Sequence, residues 1–122
     1  VGQWDYLAGQ NQQFKVLSGG NGSYLLTPMH AIGKCLEIYG WSNSNGGIAD
    51  IWDYTATGGG NQNWLIQPTD NGFYKIINVN SGKALEVTLG TNDPAVPLRN
   101  GTAVDQSDYT GGKNQQWGFV KI

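Results

Sequence analysis

The apolar residues of this chain fall in short β-rich runs, separated by clusters of Gly, Asn, Asp and Ser. That pattern predicts strands and turns. Ten runs qualify: 2–6, 13–17, 24–29, 35–39, 48–54, 64–68, 73–79, 84–88, 103–109 and 117–121. No window carries an apolar stripe of 3.6-residue period, so helix content is expected to be minimal. The longest apolar run falls far short of the roughly 20 residues of a membrane span.

The runs repeat. Three segments close on one word: Asn11-Gln12-Gln13-Phe14, Asn61-Gln62-Asn63-Trp64 and Asn114-Gln115-Gln116-Trp117, spaced by 50 and 53 residues. Each word follows an Asp-Tyr pair (Asp5-Tyr6, Asp53-Tyr54, Asp108-Tyr109) across a Gly-containing link such as Thr57-Gly58-Gly59-Gly60. Each word reads as a single helical turn. A second pattern is interleaved with the first: Gly33-Lys34-Cys35-Leu36-Glu37-Ile38 matches Gly82-Lys83-Ala84-Leu85-Glu86-Val87 at a spacing of 49. Fixed periods of this length mark repeat architectures.

A repeat of about 50 residues holds four strands, so three complete repeats need twelve strands and roughly 150 residues. The chain has 122 residues. It reads as one domain, 1–122, built of a partial repeat 1–22 and repeats 23–70 and 71–122. The partial repeat lacks its first two strands. A closed threefold barrel would then miss one hairpin and expose strand edges. An upstream segment or a second chain is expected to supply it.

Composition narrows the function. Seven basic residues against nine acidic ones, a net charge of -2 and a pI near 5.0 argue against nucleic-acid binding. One Cys excludes an internal disulfide and a Cys-rich zinc site. No cofactor and no metal are expected: His30 is the lone histidine, and turns such as Thr91-Asn92-Asp93-Pro94 lack the oxygen spacing of a calcium loop. Val1 opens a polar stretch without signal-peptide features, and the missing initiator Met suggests a processed or excised chain. Asn21-Gly22-Ser23 and Asn100-Gly101-Thr102 are glycosylation sequons that matter only in a eukaryotic secretory pathway. Abundant amides and aromatics suit a neutral, hydroxylated partner.

The three Asn-Gln-x-(Trp/Phe) words resemble the Gln-x-Trp motifs of ricin-type β-trefoil lectins, and the Gly-Lys-x-Leu-Glu segments resemble the strand before each sugar pocket of that family. The closest flavour is that of family-13 carbohydrate-binding modules. The resemblance implies an all-β, β-trefoil fold with up to three sugar sites. Each site would combine an acidic residue, an aromatic platform, an Asn and the motif Gln.

Carried over by position, the most complete set is Glu37, Asp50, Trp52, Asn61 and Gln62. A weaker second set is Glu86, Asp105, Asn114 and Gln115, with Ser107 where the platform belongs. A partial third set is Trp4, Asn11 and Gln12, without an acidic strand. Glu replaces the family's usual Asp at 37 and 86. The family disulfide position is taken here by Cys35 facing Tyr54 and by Ala84 facing Tyr109, so packing replaces the bridge.

The chemistry agrees with this carry-over. An indole accepts the C–H face of a pyranose, a carboxylate accepts two hydroxyl hydrogens with charge assistance, and an amide donates and accepts. Aromatics present in every copy are read as architecture: Phe14, Trp64 and Trp117 as core, and Tyr6, Tyr54, Tyr109, Tyr24 and Tyr74 as core or barrel closure. Trp41 reads by default as a loop anchor, otherwise as a pocket wall. Gln62 reads as mainly structural, and Cys35 as a buried filler.

The expected function is a non-catalytic carbohydrate-binding module, secreted or extracellular, that attaches an enzyme or surface protein to a neutral glycan or polysaccharide such as a galactoside or xylan. Repeated identical carboxylates suit multivalent binding better than hydrolysis. Neither a nucleic acid nor a membrane is an expected partner. The alternative is a structural or protein-interaction trefoil with degraded sugar sites.

Overall fold

The computed structural model describes residues 1–55, 59–88 and 99–122. Thr57 and Gly58 of the Gly-rich link, and the Thr91–Pro94 turn, lie outside the described residues.

Among the described residues eight strands follow in order: β1 (Phe14–Gly20), β2 (Ser23–Pro28), β3 (Lys34–Ile38), β4 (Ala49–Asp53), β5 (Trp64–Pro68), β6 (Tyr74–Asn78), β7 (Ala84–Val87) and β8 (Val104–Ser107). All pairings are antiparallel. Six strands form one sheet, ordered β1-β2-β5-β6-β7-β8, and β3-β4 form a separate hairpin. The sheet turns corners where pairing shrinks to one residue, at Tyr24↔Trp64 and Ile77↔Ala84. No α-helix occurs among the described residues. The three Asn-Gln words form 3-10 turns at Gln10–Gln12, Gly60–Gln62 and Lys113–Gln115.

Local chemistry explains the tightest hairpin. Gly20 pairs with Ser23, so only Asn21 and Gly22 close the β1-β2 loop. Both have positive φ (52° and 76°), as a two-residue type I′ turn demands, and Asn-Gly is its favoured pair.

The core joins the two sequence patterns. Leu26, Leu36, Ile38, Ala49, Trp64, Ile76, Leu85 and Val104 form one buried cluster, with Ile66 and Trp117 packed against it. Trp64 closes the second word and donates its indole N–H to Leu36 O at 3.0 Å; Trp117 closes the third and donates to Leu85 O at 3.0 Å. Each word is thus tied to the Leu of its own Gly-Lys-x-Leu-Glu strand. Phe14 has no indole N–H and no such strand across from it among the described residues. It is 42% exposed instead of core, as are Val16 and Leu17 at similar levels on the same edge strand.

Other expectations need correction. Tyr6, Tyr54, Tyr24 and Tyr74 are exposed and Tyr109 is half-buried. Tyr has a wet phenol tip, so recurrence at a barrel rim does not require burial. There Tyr74 packs edge-on against Phe119 at 5.5 Å, and the Lys75 ammonium lies 4.8 Å from the Tyr109 ring centre. The runs 2–6 and 117–121 reduce to single bridges, Gly2↔Ala103 and Tyr74↔Trp117. After Gln3 the chain leaves the ladder, because Asp5 N–H bonds the Asn100 side chain at 2.8 Å. The β3-β4 register sets Cys35 opposite Trp52, not Tyr54; likewise Ala84 opposes Ser107, not Tyr109. Cys35 is a buried free thiol, and burial, followed by the Glu37 charge, pushes it up to about 11.

Candidate functional site

The β3-β4 hairpin carries the most complete set. Glu37 directly opposes Asp50, and Cys35 opposes Trp52. Side chains two apart share a strand face, so Glu37, Asp50 and Trp52 lie on one side of the hairpin. Glu37 is only 6% exposed, whereas the Trp52 indole is 55% exposed.

The Gly60–Gln62 turn completes the floor. Asn61 Nδ2 donates to Glu37 Oε2 at 3.1 Å and to Ile38 O at 3.3 Å. Gln62 Nε2 donates to the same Oε2 at 3.2 Å and to Asp53 O at 2.9 Å. Gln62 Oε1 accepts from Thr55 N–H at 3.1 Å and from the Thr55 hydroxyl at 3.2 Å. Gln62 therefore staples the loop shut beneath Glu37. The close approach also fixes Gly59: a Cβ there would lie 2.8 Å from Asn61 Oδ1.

The β7-β8 hairpin repeats this geometry. Glu86 opposes Asp105. Asn114 Nδ2 donates to Glu86 Oε2 and Val87 O, each at 3.0 Å. Gln115 Nε2 donates to Glu86 Oε2 at 3.1 Å and to Asp108 O at 2.8 Å, while its Oε1 accepts from Thr110 N–H at 2.8 Å. Two features differ. Glu86 and Asn114 are half-buried where Glu37 and Asn61 are buried, and the residue opposite Ala84 is Ser107 where Trp52 opposes Cys35.

Near the N-terminus only part of the set converges. Gln12 makes the same staple, accepting Leu7 N–H and donating to Asp5 O, each at 2.7 Å. Trp4 is exposed and lies over Gly101. No counterpart of Glu37 stands against Asn11 among the described residues.

In each hairpin two carboxyl groups face one another across the ladder. Oδ1 of Asp50 and Oδ1 of Asp105 are buried without a protein hydrogen-bond partner. Like charges this close do not both ionise readily. Burial, then hydrogen bonding to Glu86 and its charge, push Asp105 up to about 7. In the other pair burial raises Glu37 most, Gln62 N–H pulls it back, and the Asp50 charge adds to the rise.

Two further polar residues shape the site, and neither stood out in the sequence reading. Gln106 and Asn78 are fully buried. Gln106 Nε2 donates to Ser42 O at 2.9 Å and Ser44 O at 3.0 Å, and so holds the 42–47 loop beside the first hairpin. Asn78 Nδ2 donates to Asn61 O at 3.0 Å. The available signal was phase: Gln106 sits two residues from core Val104, and Asn78 two from core Ile76. His30 is exposed, and no group of three or more candidate metal ligands occurs among the described residues.

Two tied hairpins, stapled turns and corner-turning pairs define the class: the fold is a β-trefoil. It is similar to the designed threefold-symmetric protein ThreeFoil (36% identity, TM-score 0.86, covering 98% of this chain and 79% of that one). The chain belongs to the ricin-type β-trefoil lectin-like family, whose model matches residues 60–122. It also resembles part of an exo-β-1,3-galactanase from Clostridium thermocellum (28% identity, TM-score 0.81, covering 98% of this chain but 24% of that one). A lectin from Polyporus squamosus, solved with the epitope Neu5Acα2-6Galβ1-4GlcNAc, shares the fold (24% identity, TM-score 0.67, covering 92% of this chain and 36% of that one). A search of curated proteins gave no match. Membership of this family supports carbohydrate binding in general.

Proposed function

We propose that this chain is a non-catalytic carbohydrate-binding module of family-13 type, working outside the cell to hold an enzyme or surface protein against a galactoside- or xylan-like glycan. One observation carries the reading: an exposed indole, Trp52, stands on the same hairpin face as the Glu37–Asp50 carboxyl pair, with Asn61 beside it. The indole takes the apolar face of a pyranose, and the carboxyl and amide groups take its hydroxyls. A shallow site of this kind binds at about 0.1–1 mM, roughly -4 to -5.5 kcal/mol. The Glu86–Asp105 set, with Asn114 and Gln115, is a weaker site because it has no platform, and Trp4, Asn11 and Gln12 form a partial one. Two sites on one polymer raise apparent affinity through effective concentration.

The test is a calorimetric titration with galactose-, xylose-, mannose- and glucose-containing oligosaccharides. One sugar class should give a saturable signal. Trp52→Ala should weaken it at least tenfold, about 1.4 kcal/mol, with an unchanged unfolding midpoint. Silence across the panel at 20 mM sinks the reading.

A second reading draws on the apolar edge at Phe14, Val16 and Leu17. An exposed strand edge with apolar side chains is a template for pairing. We propose that two strands from an upstream segment or a second chain cover it, in the place that β3-β4 and β7-β8 take beside their own Trp. Phe14→Lys should then weaken self-association in sedimentation; an unchanged monomer at millimolar concentration counts against this cover.

A further inference from the structure

Trp41 occupies a costly position. Its φ is 58°, and Gly40 before it has φ 64°. A bulky side chain in left-handed backbone is strained. Yet the indole is 53% exposed rather than packed into the core. The loop is held through backbone carbonyls instead: Asn80 Nδ2 donates to Trp41 O at 3.3 Å, and Gln106 Nε2 to Ser42 O and Ser44 O. Gly46 N–H also reaches Gln106 O at 2.7 Å.

The indole instead borders the Glu37 floor. A Cβ on Gly59 would lie 3.0 Å from Cζ2 and 3.3 Å from Cη2 of Trp41, and 2.8 Å from Asn61 Oδ1. The benzo edge of Trp41 and the Asn61 amide therefore meet over one glycine. Trp52 stands two residues from Asp50, which opposes Glu37; Asn61 bonds Glu37, and the space beside Gly59 is bordered by both Asn61 and Trp41. Two exposed indoles thus stand near one polar floor. By the 49-residue spacing, the position matching Trp41 beside the other hairpin is Gly90.

We propose that Trp41 is a second sugar-stacking surface of the Glu37 site, so that this site selects glycan chains of two or more residues over single sugars. This rests on the carbohydrate-binding reading above. One pyranose lies on Trp52 and turns its hydroxyl edge to the floor; the next residue crosses Asn61 and lies on Trp41. The strained, pinned loop presents the indole ready-placed, which lowers the ordering cost of binding.

The experiment compares galactose with β-1,3-galactotriose, and xylose with xylotetraose, by calorimetry on the wild type, Trp41→Gly and Trp52→Ala. For the pair that binds, the wild type should prefer the longer sugar at least tenfold. Trp41→Gly should collapse that preference to below threefold, and Trp52→Ala should weaken both members. Glycine suits the left-handed backbone, so Trp41→Gly should melt at or above the wild-type temperature. A preference that survives Trp41→Gly, or a wild type that favours neither length, overturns the inference and leaves the module reading standing. A loss of several degrees in Trp41→Gly makes the residue a loop anchor and also overturns it. Failure of both sugar pairs to bind the wild type at 20 mM removes the carbohydrate reading and the inference together.

Discussion

The hairpins β3-β4 and β7-β8 are two versions of one device. In both, an amide pair from the Asn-Gln turn grips the outer oxygen of a strand Glu, and a cross-strand Asp faces that Glu. In both, a Lys on the first strand or just before it reaches the Asp that precedes the Tyr: Lys34 to Asp53 and Lys83 to Asp108, each at 2.6 Å. The hydrogen-bond frame is thus kept while the surface above it is not. Trp52 stands on the face of one floor, with Trp41 near its Asn61; Ser107 takes the place of Trp52 at the other. The polar frame serves the fold first, because Gln62 and Gln115 close their loops through backbone groups whatever binds above. On the proposed reading, aromatics added to that frame turn it into a sugar site.

The comparison is broken most violently in the core. Trp64 is wholly buried and Trp117 only partly. Trp64→Ala should cost about 3–5 kcal/mol, the range for a buried large aromatic. Trp117→Ala should cost at least about 1 kcal/mol less, since less apolar surface leaves the core. Urea unfolding of both variants checks the order; equal losses would mean that the two words are equally built into the core.

A smaller effect concerns protons. Asp105 sits at about 7 in the folded chain, against about 3.9 when unfolded. The folded state therefore binds more protons between those values, and stability falls as pH rises through that window. Glu37 is raised in the same direction. The unfolding midpoint should be about 3–5 °C higher at pH 5.5 than at pH 8, the shift that roughly 1 kcal/mol gives a domain of this size. Asp105→Asn should remove much of that slope and raise the midpoint at pH 8. A slope that Asp105→Asn leaves untouched contradicts the raised Asp105 carboxyl as its source.

The smallest effect lies in the ion pairs. Lys83 is more enclosed than Lys34 (17% against 45% of its side chain exposed), and Lys83 with Asn45 holds Asp108 below the usual carboxylate range. Exposed pairs contribute about 0–1 kcal/mol. Lys83→Ala should lower the unfolding midpoint more than Lys34→Ala, both by small amounts. The reverse order would show that enclosure does not set their strength.

Much of this was legible in the sequence. The interleaved words marked both hairpins, and β3, β4, β7 and β8 lie within a residue or two of the predicted runs. The Gly two residues before each Asn made sense only in three dimensions, where a Cβ on Gly9, Gly59 or Gly112 would press on the Asn side chain. What misled was recurrence. Phe14 recurs with Trp64 and Trp117, yet burial depends on a facing strand, which one word cannot reveal. The Tyr pairs recur because a rim position repeats. Gln106 was invisible because its partners, the carbonyls of Ser42 and Ser44, lie over 60 residues away in sequence. The facing carboxyl pairs follow from strand register, and register is fixed only when the hairpin closes.

The central claim is that an aromatic platform turns a shared polar frame into a sugar site. It is tested most directly by binding stoichiometry in the wild type, Trp52→Ala and Ser107→Trp, using the sugar that saturates the wild type. The account predicts one measurable site in the wild type, none in Trp52→Ala, and two in Ser107→Trp. A folded Ser107→Trp that still binds one equivalent, or a folded Trp52→Ala that binds like the wild type, would contradict it.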